Sequence, residues 1–354
     1  MQKVTVKINK GYDFFVGEDV LGGALEPVLF EIKARRCAVI ADAAAEKYHL
    51  DALSAVLSHA GCEYVCYTLA PGERSKSLSE YGEILTFLAD NEICRNDVII
   101  ALGGGVAGDI SGFCAATYMR GIRYINIPTT LLAAVDSSVG GKCAVDLPEG
   151  KNLAGAFWQP EAVICDTRFL KTLDEAEIRS GAGEILKYGL LADGRLLSAA
   201  ASRESCVSED IISQCVSIKA DYVREDETDF GVRRFLNLGH TAAHAAELLS
   251  GYTLPHGEAV AYGLSVITHA AEKNNMCESG LSDIVDASIK AAGLPCAASM
   301  NYSSADLASA AMGDKKRSGN KITLVIPRSV GKCFLHTMKT DELAEFLACG
   351  TGEK

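Results

Sequence analysis

The stretch DVIIALGGGVAGDISGFCAATYM, residues 97–119, constrains the fold of this chain more than any other segment. Val98 to Leu102 form an unbroken apolar run, Gly103 to Gly105 supply a turn, and Val106 to Met119 read as a helix of small residues. A strand with no polar alternation is one buried on both faces, as in a parallel sheet covered by helices. The same order occurs twice upstream. RCAVIADAAAEKY (36–48) is an apolar run ending at Asp42, followed by a helical stretch to about Ala60. EYVCYTLAPGERSKS (63–77) gives a strand and a Pro-Gly loop, then a helix from about Leu78 to Asn91. Strand, turn and helix in repetition predict a Rossmann-like α/β domain at the N-terminus.

Two explanations of the glycines stand side by side. Three glycines let a backbone approach a pyrophosphate, and the helix that follows presents unpaired N–H groups and its positive dipole end. The spacing is not the GxGxxG fingerprint, however, and a glycine turn also serves simply to pack a helix tightly on a sheet. Asp42 is equally open. At a strand end it can accept from ribose hydroxyls, or it can cap the helix after it.

The chain has 354 residues, enough for two domains with sizeable cores. At 48% hydrophobic and 23% charged with 8 prolines, and without low-complexity tracts, it reads as globular throughout. The start alternates like a strand and lacks an apolar h-region, so a signal peptide is not expected. No run reaches the roughly 18 apolar residues of a membrane span. Thirteen cysteines, an odd number without CxxC pairs, fit reduced thiols in a cytoplasm. A net charge of -12 argues against nucleic acid and anionic membrane partners. An anionic small substrate would need a local cationic pocket.

Downstream, YINIPTTLLAAVDSSVGGKCAVDLPEGKNLAGAFWQP (124–160) opens with a strand whose carboxyl-end loop carries Thr129 and Thr130. Asp136, Lys142, Asp146, Lys151 and Asn152 follow in a glycine-rich stretch with little period, which reads as a long polar loop. From about Leu173 the pattern turns helical. Glu184 and Lys187 share one helical side there, and Lys219 lies inside a later helix. His269, on an apolar helix, reads as a satisfied core or surface residue rather than a ligand.

RRFLNLGHTAAHAAELLSGYTLPHGEAVAYG (233–263) holds three of the seven histidines. His240 and His244 lie one helical turn apart, and His256 follows a short loop. Two such imidazoles and one from an adjoining turn can converge on a divalent ion, with a position left open for substrate oxygen. Spacing leaves open whether all three bind, or two with a carboxylate from Glu184, Glu247 or Glu258.

These residues fall in segments that resemble the 3-dehydroquinate synthases, a family of sugar-phosphate cyclases. PGERSKS, GGGVAGDISGF, YMRGI, IPTTLLAAVDSSVGGKCAVD, GKNLAGAFWQP, GAGEILKYG, DETDFGVRRFLNLGHTAAHAAE, PHGEAVAYG and GDKKRSGNKITLVIP run in that family's order, from about residue 70 to 327. The resemblance implies a Rossmann-like NAD-binding domain over 1–172, an all-α metal and substrate domain over 173–354, and a cleft between them. It implies Glu184, His240 and His256 as ligands of zinc or cobalt, with His244 left for chemistry. It implies an NAD environment of Glu73, Lys76, Gly104, Gly105, Val106, Gly108, Asp109, Thr129, Thr130, Lys142, Lys151, Phe169, Leu170, Lys171 and Thr172, with Asp42 on the ribose. The implied substrate shell is Arg120, Asp136, Lys142, Asn152, Lys187, Lys219, Arg233, Asn237, His244 and Lys315. Ala242, Trp158 and Asp229 depart from the commoner aromatic, Tyr and Glu at those positions.

The implied activity is a shikimate-pathway lyase of aromatic amino acid biosynthesis, acting as a cytoplasmic homodimer. It converts 3-deoxy-D-arabino-heptulosonate 7-phosphate to 3-dehydroquinate and phosphate by transient oxidation with NAD, phosphate elimination, re-reduction and aldol closure. The cationic cluster in an acidic chain answers the need for a pocket that binds an anionic sugar phosphate. A sister cyclase making 2-deoxy-scyllo-inosose uses a substrate with no carboxylate, so Arg233, Lys219 and Lys315 would have less to do. A metal-dependent polyol dehydrogenase would accumulate NADH instead of releasing phosphate. A non-catalytic regulator would have no use for an intact set of ligands and lysines.

Overall fold

The computed structural model describes residues 1–313 and 320–351. Lys315 lies outside the described residues. Contacts divide the chain into two compact units, Met1–Asp174 with Val207–Thr228, and Glu175–Cys206 with Asp229–Lys354. The sequence pattern changes once, near residue 173. The chain itself crosses three times, because residues 207–228 return to the first unit.

In the first unit the strands are β1 (Gln2–Val6), β2 (Tyr12–Gly17), β3 (Arg36–Asp42), β4 (Glu63–Leu69), β5 (Val98–Gly103), β6 (Arg123–Pro128), β7 (Lys142–Leu147), β8 (Gly150–Phe157) and β9 (Ala162–Asp166). The helices are α1 (Leu21–Glu31), α2 (Ala43–His59), α3 (Leu78–Asp90) and α4 (Gly105–Thr117). Seven strands form one sheet in the order β1-β2-β9-β6-β5-β3-β4, parallel except for β1 against β2. Side chains alternate between its two faces. Val39, Val98, Ile100 and Leu102 join Leu25, Leu53 and Leu57 of α1 and α2. Ile40, Ile99 and Ala101 join Ile84, Leu88, Ile110 and Cys114 of α3 and α4. Each such buried aliphatic side chain stabilises the fold by about 1.5–3 kcal/mol. Both cores are closed by helices, which is the doubly wound arrangement.

The polar loop expected over 136–152 is largely a β-hairpin instead. Strands β7 and β8 pair antiparallel, with Cys143 and Val145 buried beneath them. The sequence hides this because only those two positions turn fully inward, while the others mix glycine and polar residues with exposed apolar ones such as Leu153 and Phe157. The hairpin is tied to the chain before α3: Asp146 N–H donates to the Lys76 carbonyl at 2.8 Å.

The second unit is helical: α5 (Glu175–Leu191), α6 (Arg195–Ala199) and α7 (Arg203–Cys206). Helix α8 (Glu209–Glu225) belongs to the returning segment and packs on β1 and β2 of the first unit. The second unit continues with α9 (His240–Leu249), α10 (His256–Lys273), α11 (Leu281–Ala291), α12 (Ser304–Gly313) and α13 (Leu343–Thr351). Helix α10 is buried from Ala259 to Ile267 and packs against α5, α9, α11 and α13. The expected all-helical character is complete except for one antiparallel ribbon, β10 (Lys321–Ser329) with β11 (Lys332–Lys339). His269 pairs with Asp286 at 3.1 Å, the satisfied role expected of it. Among the described residues no helix is long and apolar enough to cross a membrane.

Candidate active site

The strand order reverses between β3 and β5, and open α/β sheets bind ligands in the crevice at the carboxyl ends of such a pair. Asp42 ends β3 there. Its Oδ1 accepts from Ala45 N at 2.8 Å, capping α2, and its Oδ2 accepts from Gly104 N at 3.1 Å. The glycine turn is packed hard against the protein itself. A Cβ on Gly103 would stand 2.5 Å from Asp42 Oδ2, and one on Gly104 would stand 3.0 Å from Thr130 Cγ2. The first intrahelical bond of α4 is Gly108 N to Gly104 O at 3.0 Å, so the N–H groups of Gly105, Val106 and Ala107 have no intrahelical partner. Tight packing and an anion-ready helix start are thus both present. Asp42→Ala is expected to lower stability by about 1–2 kcal/mol in chemical denaturation, since cap and turn lose their acceptor together.

Around this crevice the expected residues form pairs. Lys76 Nζ lies 2.6 Å from Asp109 Oδ2 and 2.5 Å from Asn152 Oδ1. Burial works against the Lys76 charge, but Asp109, with Glu73 and Asp146, outweighs it and holds the ammonium protonated. Lys151 stands 3.9 Å from Glu73. Lys219 Nζ donates to the Asp136 carbonyl at 2.8 Å and meets its carboxylate at 2.9 Å. Thr129 N donates to Gly103 O at 2.9 Å, joining the loops after β5 and β6. Lys142 is exposed at the start of β7, opposite Phe157. The short helical turn Phe169–Thr172 is held by His49, whose ring stacks on Phe169 at 4.2 Å and whose Nε2 meets Thr172 Oγ1 at 3.2 Å. Lys171 pairs with Glu18 at the surface. Arg120 does not join the others: it lies beyond the far end of α4, a 13-residue helix, so about 20 Å from the glycine turn.

The second unit brings Glu184, His240 and His256 together, with their ligand atoms all within 4.8 Å of one another. Glu184 Oε1 lies 3.5 Å from His240 Nε2 and 3.2 Å from His256 Nε2. Each imidazole is turned this way by what its other nitrogen meets: the Leu238 carbonyl at 3.1 Å for His240, and Glu247 at 3.5 Å for His256. Partners of this kind fix the tautomer and aim of metal-bound histidines. Lys187 Nζ stands 2.5 Å from Glu184 Oε2, at ion-pair distance but off the line of a hydrogen bond, so that this buried oxygen keeps a lone pair available. Burial alone would raise the Glu184 pKa, but Lys187 and the two imidazoles hold it well below the carboxylate range. For His256, burial acts downward and is overcome by Glu184 and Glu247, which push the metal-free imidazole up to about 10. One buried carboxylate and two Nε2 atoms fit a divalent ion of the zinc or cobalt type.

Of the three candidate carboxylates, Glu258 faces Arg179 at 3.8 Å and joins neither possible ligand set. Glu247 belongs to the other set, with His244 and His256. His244 is exposed, its ring 5.4 Å from that of His240 and 6.2 Å from that of His256. Arg233 is 2% exposed within the short helix Val232–Asn237, which packs on the β10–β11 ribbon, while Asn237 on the same segment is exposed. Three positions carrying the geometry were missed in the sequence: the glycines flanking the ligands. A Cβ on Gly183 would fall 2.1 Å from Gly257 O, and one on Gly257 would fall 1.7 Å from Ser180 O. Gly239, before His240, has φ +79° and lets its carbonyl come close to Gly263 of α10. The available signal was a glycine directly beside every ligand, in GAGE, LGH and PHGE.

A doubly wound sheet in one unit, and in the other a two-histidine, one-carboxylate cluster on helices, define a class of metal-assisted enzymes built on a nucleotide-binding type of fold. Within it, the 3-dehydroquinate synthase N-terminal family matches residues 66–180 and its C-terminal family matches residues 181–317. The 3-dehydroquinate synthase of Clostridium kluyveri is 38% identical over 357 residues, covering 98% of each chain. That of Caulobacter vibrioides is 42% identical, covering 92% of each. The chain belongs to the 3-dehydroquinate synthase family. Its fold is shared by 2-deoxy-scyllo-inosose synthase, solved with carbaglucose-6-phosphate, NAD+ and Co2+ (TM-score 0.88, 24% identity, 99% of this chain and 100% of that one). It is also shared by 2-epi-5-epi-valiolone synthase from Streptomyces hygroscopicus subsp. jinggangensis, solved with NAD+ and Zn2+ (TM-score 0.85, 24% identity, 97% of each chain). An iron-containing alcohol dehydrogenase from Thermococcus thioreducens has the same plan at 16% identity (TM-score 0.66, covering 97% of this chain and 99% of that one).

Proposed function

We propose that this chain converts 3-deoxy-D-arabino-heptulosonate 7-phosphate to 3-dehydroquinate and inorganic phosphate. What carries the assignment is the Glu184–His240–His256 set, both imidazoles meeting one oxygen of the buried carboxylate by Nε2. When bound, NAD takes up and returns a hydride while a zinc or cobalt ion lowers the pKa of the alcohol that gives it up.

In the first unit, Asp42 and the start of α4 bind NAD at the crevice, with Glu73, Lys76, Asp109, Thr129, Thr130, Lys142, Lys151 and the turn 169–172 around it. The Lys76–Asp109–Asn152 network holds the β7–β8 hairpin to that crevice, so Lys142 and Asn152 reach the phosphate from a fixed base. Lys219, oriented by Asp136, neutralises a substrate anion. In the second unit, Glu184, His240 and His256 hold the ion. Lys187 and His244 serve the phosphate, Arg233 with its planar fork takes the carboxylate, and Asn237 a ring hydroxyl. Lys315 belongs to the same shell, whereas Arg120, beyond the far end of α4, stands apart from it. A homodimer and a cytoplasmic location complete the assignment. The free thiols of all thirteen cysteines suit a reducing compartment.

The test is phosphate release from the heptulosonate phosphate with NAD in catalytic amount, with and without chelator. The expected result is many turnovers per NAD, stopped by chelation and restored by zinc or cobalt, with glucose 6-phosphate inert. Steady NADH accumulation without phosphate release would identify a dehydrogenase and overturn the assignment.

A further inference from the structure

Glu247 is a carboxylate where helix physics disfavours one. It lies in the last turn of α9, at the negative end of the helix dipole, and its side chain is 5% exposed. Its main chain is pinned: the carbonyl accepts from Tyr252 N at 2.8 Å and from Ser250 Oγ at 2.8 Å. The carboxylate Oε1 stands 3.5 Å from His256 Nδ1, on the opposite side of the ring from Glu184.

We infer that Glu247 is a positioning residue, holding His256 by Nδ1 so that Nε2 faces the metal site beside Glu184. This rests on the assignment of Glu184, His240 and His256 as ligands. The rival role is direct ligation, since Glu247, His244 and His256 also lie within 4.8 Å of one another. Symmetry of construction favours positioning. His240 has its Nδ1 on the Leu238 carbonyl and its Nε2 toward Glu184, and His256 repeats that arrangement with Glu247 in the place of the carbonyl. A Glu247 ligand set that used His256 Nδ1 would leave Glu184 and His240 without the third ligand.

The experiment loads metal-free protein with Co2+, measures affinity by competition with a chromophoric chelator, and records the ligand-field spectrum. Glu247→Gln keeps the shape and an acceptor oxygen but removes the charge. Glu247→Asp keeps the charge and withdraws it by a methylene. Both variants are expected to retain one Co2+, with the dissociation constant raised about 10–100-fold and the absorption bands shifted. In Glu184→Gln, by contrast, tight binding is expected to be lost. Wild-type affinity and spectrum in both Glu247 variants would leave the residue a purely structural role and overturn the inference. Loss of Co2+ as complete as in Glu184→Gln would make Glu247 a ligand and overturn it too. If Glu184→Gln bound Co2+ like the wild type, the ligand assignment itself would fail, an outcome read in a different variant. The thermal midpoint of each metal-free variant separates misfolding from either result.

Discussion

Replacing His256 with alanine is expected to remove the bound metal and lower turnover by on the order of 1000-fold or more, because a Lewis acid contributes several kcal/mol of transition-state stabilisation. NAD affinity is expected to stay within about twofold, since the proposed NAD residues all lie in the first unit. The loss has two parts. One of three ligands disappears, and Glu184 is left with Lys187 and His240 alone. Glu247 loses its imidazole partner as well, and an under-satisfied buried carboxylate costs about 1–3 kcal/mol. Metal content measured by atomic spectroscopy, alongside a fluorescence titration of NAD, checks both halves. Chelated wild-type protein is the control and differs in one respect: added zinc or cobalt restores it but does not restore the variant. Full activity in a verified metal-free preparation would remove the ion from the mechanism.

The doubly wound sheet was legible because strands buried on both faces write themselves as continuous apolar runs, and β3 and β5 are such runs. The β7–β8 hairpin was not, since its glycines and outward charges imitate a loop and its inward alternation is only Cys143 and Val145. Helix α8 shows a different limit. An amphipathic helix records that it has an apolar face, not which body covers that face, so the return of Lys219 to Asp136 could not be read locally. The ligand set lies between these cases. Helical spacing joined His240 to His244 and a short loop added His256, but the choice among Glu184, Glu247 and Glu258 depends on how α5, α9 and α10 cross. That crossing is set by contacts between residues distant in sequence, and only the family resemblance anticipated it.

The glycines at that crossing set the second large effect: Gly257→Ala is expected to abolish tight metal binding without altering any ligand. The new Cβ would lie 1.7 Å from the Ser180 carbonyl oxygen and 2.4 Å from its carbon. Both are backbone atoms of α5, so no side chain can swing away. Reaching ordinary contact requires α5 and α10 to part by on the order of 1.5 Å in an interior packed like a crystal. Glu184 rides on α5 and His256 on α10, so the separation falls on the 3.2 Å approach between Oε1 and Nε2. A metal site tolerates ligand distances off by only about 0.2 Å. Affinity for Co2+ is therefore expected to fall at least about 100-fold, with stability lower by about 3 kcal/mol from overpacking. Gly82→Ala is the matched control. Gly82 lies inside α3 with nothing within 4 Å of an added Cβ, so the exchange is expected to stabilise by up to about 1 kcal/mol and leave the metal untouched. Wild-type metal affinity in a folded Gly257→Ala protein would mean that the helices can separate while the ligands still converge, and that the glycines serve packing alone.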